Sequence, residues 1–279
     1  MDIVEIISTG MNFEIPETIS PGWTTFRYIN DSPDTHFFVL EKMPEGKTIE
    51  DTRTEVIPVF TQAMDMINSG NTDQGFAVFD ELPTWFFDVE FTGGPGLISP
   101  GKTAETTLNL EPGTYVIECY VKMPNGQFHS ALGMIAQIMV SGEPNKNSPP
   151  KPTGKITISS QRGIEFKGSV LQGSHIFAVH FEDQTAHENF MGHDVHLVKI
   201  EEGTDLAVLN SWMNWADTYG FITPSPQGVT FLGGSQEMPA GSTSYIHAKI
   251  TPGNYALIAE VPDPESKNMF VRFKVLPKK

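Results

Sequence analysis

The chain is poor in cysteine, in basic residues and in long apolar runs. One cysteine among 279 residues, Cys119, permits no internal disulfide, so cysteine usage alone does not fix the redox compartment. No apolar stretch approaches the roughly 20 residues that span a bilayer, and no membrane span is expected. Lysine and arginine total 18 against 34 aspartates and glutamates, a formal charge of −16 with a pI near 4.8. Nucleic acid needs a basic face and anionic lipid a basic patch, so neither is an expected partner. A basic partner protein steered in by charge is compatible with this balance. A G-x-S-x-G elbow, a P-loop, an H-E-x-x-H helix and a Rossmann fingerprint are all absent. With 34 acids, chance carboxylate pairs are guaranteed. No dyad and no catalytic residue is therefore assigned. Nothing like a signal peptide precedes the alternating segment at residues 3–7. The expectation is a cytosolic protein or a mature chain whose leader has been removed.

What is present suits a globular protein with real cores: 39% hydrophobic, 10% aromatic, and length for two domains. The informative stretch is residues 111–140, EPGTYVIECYVKMPNGQFHSALGMIAQIMV. Cys119 is followed by His129 and then Met134, a thiol, an imidazole and a thioether close together in sequence. Copper selects such soft and borderline donors, and a blue-copper electron-transfer site uses two His, one Cys and a weak axial Met. One more histidine must then come from elsewhere. Residues 114–121 read as a strand with Tyr115, Ile117, Cys119 and Val121 on one inward face. Pro124-Asn125-Gly126 is turn chemistry, and residues 135–140 read as the returning strand. His129 and Met134 then lie on the connecting loop.

The sequence also repeats itself. At one offset of 140 residues, Phe91-Thr92-Gly93-Gly94 is echoed by Phe231-Leu232-Gly233-Gly234, and Pro112-Gly113-Thr114-Tyr115 by Pro252-Gly253-Asn254-Tyr255. HFFVLEKMPEG from His36 matches HDVHLVKIEEG from His193 without a gap. Two copies of one fold follow, at 1–147 and 148–279, joined by a linker at 141–155 that carries four prolines. Short alternating strands at 3–8, 23–29, 156–160 and 175–181, punctuated by Pro-Gly and Gly-Gly, read as antiparallel β-sandwiches. Each copy carries a helical insertion. The first opens on a Thr48/Asp51 capping box, stops at Gly70, and contains Pro58, which should kink or split it. The second follows Thr204 and runs to Gly220, with Trp212 and Trp215 on it.

The ligand stretch resembles the loop of a cupredoxin, and is most similar to the type 1 copper site of copper nitrite reductases, where Cys, His and Met occur in this order with a comparably long Cys-to-His spacing. The resemblance implies an all-β chain of two cupredoxin-like Greek-key β-sandwich domains with short helical insertions. It implies one type 1-like copper in the N-terminal domain, held by His36, Cys119 and His129 with Met134 axial. Tyr120 and Phe37 stand where cupredoxins often place small polar residues, which alters the expected hydrogen bonding around the thiolate. The repeat sets Ala259 opposite Cys119, and the following loop holds no histidine, so the second domain is expected to be a degenerate copy. Met269 takes the register of Met134 and His193 that of His36. Five histidines (His175, His180, His187, His193, His196) cluster in this half with Glu188 and Asp194 nearby in sequence, so a second metal site for zinc or copper is conceivable, although His193 and His196 are three apart on a strand and are not expected to chelate together.

The implied function is single-electron transfer by a copper protein with an unidentified redox partner. A copper-thiolate site favours a periplasmic or extracellular location. The alternatives are a metal-free extracellular binding or assembly module of tandem sandwiches, and a copper carrier. No His-X-His pairs of a multicopper oxidase are present, and no second histidine lies close to His36 to build a type 2 copper.

Overall fold

The computed structural model describes residues 3–167 and 170–277. Its strands pair in the same order twice. In the first half, Ile3–Thr9 lies parallel to Gly22–Asn30 and antiparallel to Asn12–Glu14. In the second, Gly154–Ser159 lies parallel to Gly173–Phe181 and antiparallel to Gly163–Phe166. Gly22–Asn30 continues to Thr103–Leu110, as Gly173–Phe181 continues to Thr243–Ile250. The opposing sheets follow suit. Val39–Lys42, Gly113–Glu118 and Ile135–Val140 are consecutive neighbours, matched by Val195–Ile200, Gly253–Ile258 and Phe270–Val275.

The halves share one sheet. Thr103–Leu110 pairs antiparallel with Thr243–Ile250, which makes eight continuous strands. Thr106 faces Ile246 in that register, and those residues are 140 positions apart, the repeat offset itself. A local twofold relation between the halves therefore passes through this pair, and residues near it touch their own counterparts. Thr107 Oγ1 meets His247 Nε2 at 2.9 Å and Tyr120 donates to Glu260 at 2.9 Å, both across 140 residues. One core runs through both halves between the sheets, from Phe26, Tyr28 and Leu40 to Val179, Leu197 and Leu257. A second core covers the ends where the ligand loop lies, and joins Cys119 to Met64, Trp212 and Phe221.

The first insertion starts on the expected capping box, with Thr48 N–H donating to Asp51 at 2.9 Å. The helix then widens into a π-helical turn at Thr52–Val56, and the α-helix Ile57–Asn68 begins with Pro58 in its first turn. Proline there needs no N–H partner, so the helix is re-formed around it instead of being broken. The second insertion is shorter than its sequence suggests. Its α-helix is Leu206–Trp212, capped by Asp205, and Trp215 lies beyond its end. Trp212 and Trp215 are both buried against the second core. No helix among the described residues is long and apolar enough to cross a membrane.

One glycine fixes the early histidine segment. Gly94 has φ +148°, and a Cβ there would collide with the Phe38 carbonyl. Leu40 N–H donates to the Gly93 carbonyl at 2.8 Å, and His36 and Ile98 exchange backbone hydrogen bonds at 3.1 and 2.7 Å. The 93–98 segment is thereby laid directly along residues 36–40.

Candidate metal centre

The strand bearing the ligand loop ends at Glu118, one residue before the cysteine. Its last partner pair is Glu118 with Ile135, after which Cys119 N–H turns to the Met134 carbonyl at 3.2 Å. The alternation expected from Tyr115 to Val121 therefore breaks. Tyr115 and Ile117 face the inter-sheet core, whereas Cys119 and Val121 belong to the second core at the sandwich end. The loop closes on itself by backbone bonds. Gly126 N–H donates to Met123 at 2.8 Å, His129 N–H to Val121 at 2.8 Å, and Met134 N–H to His129 at 3.0 Å. His129 opens a short 3-10 turn, Ser130–Leu132, which Gly133 terminates at φ +106°.

This folding brings together three of the four residues singled out in the sequence. His129 Nδ1 is 3.1 Å from His36 Nδ1, Cys119 Sγ is 3.6 Å from His36 Nδ1, and Cys119 Sγ is 3.8 Å from His129 Nδ1. All three residues are fully buried. The ten-residue Cys-to-His spacing is spanned by the turn at 124–126 and does not separate the donors. Met134 is buried in the same core as Cys119 and is tied by its backbone to both Cys119 and His129.

The electrostatics are those of a metal-ready group. Burial pushes the Cys119 thiol up to about 12. Burial lowers His36 to about 3, with His129 beside it adding to the effect, and lowers His129 to about 4. Both rings are neutral at pH 7 and the sulfur is a thiol that a cation must deprotonate to bind. Backbone N–H groups of Phe37 and Val121 donate to the sulfur. Main-chain donors thus supply the sulfur's hydrogen bonding, which does not depend on small polar side chains at positions 37 and 120. A collapsed remnant would have packed His36 against the main chain. Instead its Nδ1 faces the other two donors, and the Nε2 atoms of His36 and His129 are buried with no hydrogen-bond partner among the described residues. Two imidazole nitrogens, one sulfur and a nearby thioether fit copper.

The second half lacks this chemistry at the matching place. Ala259 repeats the backbone bond of Cys119, with its N–H on the Met269 carbonyl at 3.0 Å, but brings only a methyl group. Its histidines separate as expected. His193 contacts His187 at 3.2 Å, while His196 lies 2.6 Å from Asp194. Asp194, His196 and Glu260 do form a second buried group of donor atoms within 4.8 Å of one another. The sequence offered His196 and Asp194 for a second metal site but not Glu260, which lies 66 residues beyond Asp194. The available signal was positional, since Glu260 follows Ala259 as Tyr120 follows Cys119. Also missed was a carboxyl pair beside Cys119, Glu41 and Glu118, whose strands are paired and both of which burial raises.

Sheet topology and donor geometry define a cupredoxin-like β-sandwich chain whose His36-Cys119-His129 group, with Met134 in the same core, resembles a type 1 copper site. The chain is similar to a dithionite-reduced auracyanin from Roseiflexus castenholzii, at 23% identity over 50% of this chain and 97% of that one, TM-score 0.31. It is similar to auracyanin A, a "blue" copper protein from Chloroflexus aurantiacus, at 21% identity over 50% of this chain and 98% of that one, TM-score 0.31. Over 99% of its length it is similar to 61% of a copper-containing nitrite reductase from Thermus scotoductus SA-01, at 13% identity and TM-score 0.25. No protein-family model and no curated protein matches the sequence.

Proposed function

We propose that this protein binds one copper ion through His36 Nδ1, Cys119 Sγ and His129 Nδ1, with Met134 as a weak axial ligand, and passes single electrons to and from a partner protein. The observation that carries this reading is the convergence of two imidazole nitrogens and the only thiol within 3.1–3.8 Å of one another in a fully buried pocket. Bound copper supplies a one-electron couple. The chain's part is to hold the donors fixed in both oxidation states. The loop's own backbone bonds, the early histidine strand pinned by Gly94, and the burial that excludes water all serve that end. Residues 1–147 form the copper-bearing domain in this reading, and 148–279 a degenerate copy that retains no thiolate. An exported location fits a copper-thiolate protein, and the acidic charge suits a basic redox partner.

The test is Cu(II) addition to metal-stripped protein, read by visible absorption and paramagnetic resonance. An intense thiolate-to-copper charge-transfer band at one copper per chain is expected. Cys119→Ser should abolish the band while leaving the fold intact. A colourless wild type, or a band that survives the substitution, refutes the proposal.

A further inference from the structure

A cavity of about 260 Å³ is lined from both halves and lies against the ligand loop. Glu118 and Tyr120, on either side of Cys119, line it, as do Phe128 and Ser130, on either side of His129. Nine lining residues are aromatic. Phe60 joins three of them into one wall, its ring centroid 5.8 Å from Phe86, 6.3 Å from Phe128 and 5.9 Å from Trp215. Phe87 and Phe190 also line the cavity and are 59% and 47% exposed, so it reaches the surface at those rings. Five lining residues are acids, Asp194, Glu237, Glu260 and the Glu41/Glu118 pair, and none of the described ones is a lysine or arginine. These acids leave no open carboxylate. Asp194 is bonded at both oxygens, Oδ2 lying 2.6 Å from His196 Nε2 and Oδ1 accepting from Glu260 N–H at 2.6 Å. Glu41 and Glu118 hydrogen-bond to each other, which needs a proton between them. Burial, with Asp194 nearby, raises Glu260 well above the usual carboxylate range and pushes Glu237 up to about 8. The polar atoms left open belong to uncharged groups. Thr52 Oγ1 and Gln236 Nε2 are buried without a hydrogen-bond partner, and these two lining residues are 4% and 1% exposed. Buried hydroxyl and amide groups are normally paired, so their open valences point to an occupant.

We infer that this cavity binds a small uncharged aromatic molecule with one amide-like polar group, its ring against the Phe60 wall and its polar group on the Gln236 amide and the Thr52 hydroxyl. Aromatic walls favour an aromatic occupant through edge-to-face and offset contacts. An anion would be desolvated among acids with no basic residue to receive it, and a cation would find every carboxyl protonated or already bonded. An amide answers both open groups, since it accepts from the Gln236 N–H or the Thr52 hydroxyl and donates to the hydroxyl oxygen. The volume sets the size at a single ring, since it lies below the roughly 300 Å³ at which pockets for drug-sized ligands begin. Such an occupant lies beside the chain segments that carry Cys119 and His129.

This inference does not rest on the copper reading, whose failure would appear only in the charge-transfer band and would leave the following titration untouched. The test is isothermal titration of the metal-free full chain with benzamide, cyclohexanecarboxamide, sodium benzoate and benzylammonium chloride, each alone, at mildly acidic pH. One equivalent of benzamide should bind at least about tenfold more tightly than benzoate or benzylammonium, and about threefold or more above the saturated ring. Ala186 lines the cavity from an exposed position, so Ala186→Trp should fill it and abolish benzamide binding without disturbing the core. Gln236→Leu should weaken benzamide by about fivefold. The wild-type series decides the matter even where a variant fails to fold. No binding of benzamide, or equal binding of the saturated amide or of either ion, overturns the inference. Undiminished binding by folded Ala186→Trp overturns it as well, because the site would then lie elsewhere.

Discussion

Lys122 offers a sharp test of how the halves hold the ligand loop. Its side chain is completely buried, and its Nζ donates to the carbonyls of Trp215 at 2.8 Å and Asp217 at 2.5 Å. Its backbone pairs with the same loop, N–H to the Phe221 carbonyl at 2.7 Å and carbonyl from Thr223 N–H at 2.8 Å. Burial lowers Lys122 from 10.5 to about 8, against the smaller opposing pull of Asp217 and Glu260. In the unfolded chain it stays protonated to its ordinary value. Between pH 8 and 10.5 the unfolded state therefore binds more protons than the folded one, and stability gains with rising pH. At about 1.4 kcal/mol for each pH unit separating the two values, the gain is roughly 3 kcal/mol. Lys122→Met removes that dependence. It also leaves the buried Trp215 carbonyl without this donor, at about 1–3 kcal/mol, while the Asp217 carbonyl keeps the Gly220 N–H at 3.1 Å. At pH 7 the lost bonds and the relieved desolvation oppose each other, so the stability gap between the proteins is small. At pH 10.5 the wild type no longer bears the charge, and the gap should be larger by about 3 kcal/mol. Denaturant unfolding of both proteins at pH 7, 9 and 10.5 measures it. A gap that does not change with pH refutes the argument.

The remaining predictions concern the site itself. His36 and His129 are lowered to about 3 and 4, so in metal-free protein the unfolded state takes up protons first as pH falls from 6.5. Stability should drop by several kcal/mol over that range. A His36→Gln, His129→Gln variant should show a flatter profile by denaturant unfolding, and an equally steep one would rule these rings out as the cause. Gly94→Ala places a methyl group against the Phe38 carbonyl at a φ of +148°, and should cost about 1–3 kcal/mol while weakening copper retention, measured by thermal unfolding and competitive chelation. A neutral outcome would show that residues 93–98 do not position His36.

Much of this architecture was legible because its signals are local or periodic. The 140-residue echo, the Pro-Gly corners and the alternating runs gave the doubled sandwich, and strand Ile135–Val140 falls where its apolar pattern put it. The donor set was legible because soft-metal chemistry restricts the residue types, and His36 was reached only through the resemblance to a known loop. Two things were not legible. Alternation placed Cys119 on the face of Ile117, but the ladder stops at Glu118 once Cys119 N–H turns to Met134. The helix near Trp212 was extended too far, because Met213 and Ala216 are apolar for packing on the second core and not for helical continuation. The acidic cavity was hidden for a deeper reason. Glu41, Glu118, Asp194, Glu237 and Glu260 come from strands and strand ends throughout the chain, and only the packing of the halves collects them.

That packing gives the second half a role despite its missing thiolate. Ile98 bridges to both His36 and Leu232, so the histidine segment is sandwiched between its own half and the other. Lys122 is clamped to the 215–223 loop from the opposite side. Phe221 stacks on Tyr120 at 6.0 Å and lies 6.1 Å from Phe37, the residues that follow Cys119 and His36. Each donor strand is thus covered by the partner half at the position next to its ligand. At the local twofold, Tyr120 and Glu260 occupy equivalent positions and hydrogen-bond to each other. The first half places an aromatic donor there and the second half a carboxylate. A symmetric pair of tyrosines would have left both hydroxyls to find other partners, and a symmetric pair of glutamates would have repelled unless protonated. This difference between the halves lets the flank of Cys119 and the acidic cavity wall be one hydrogen-bonded contact.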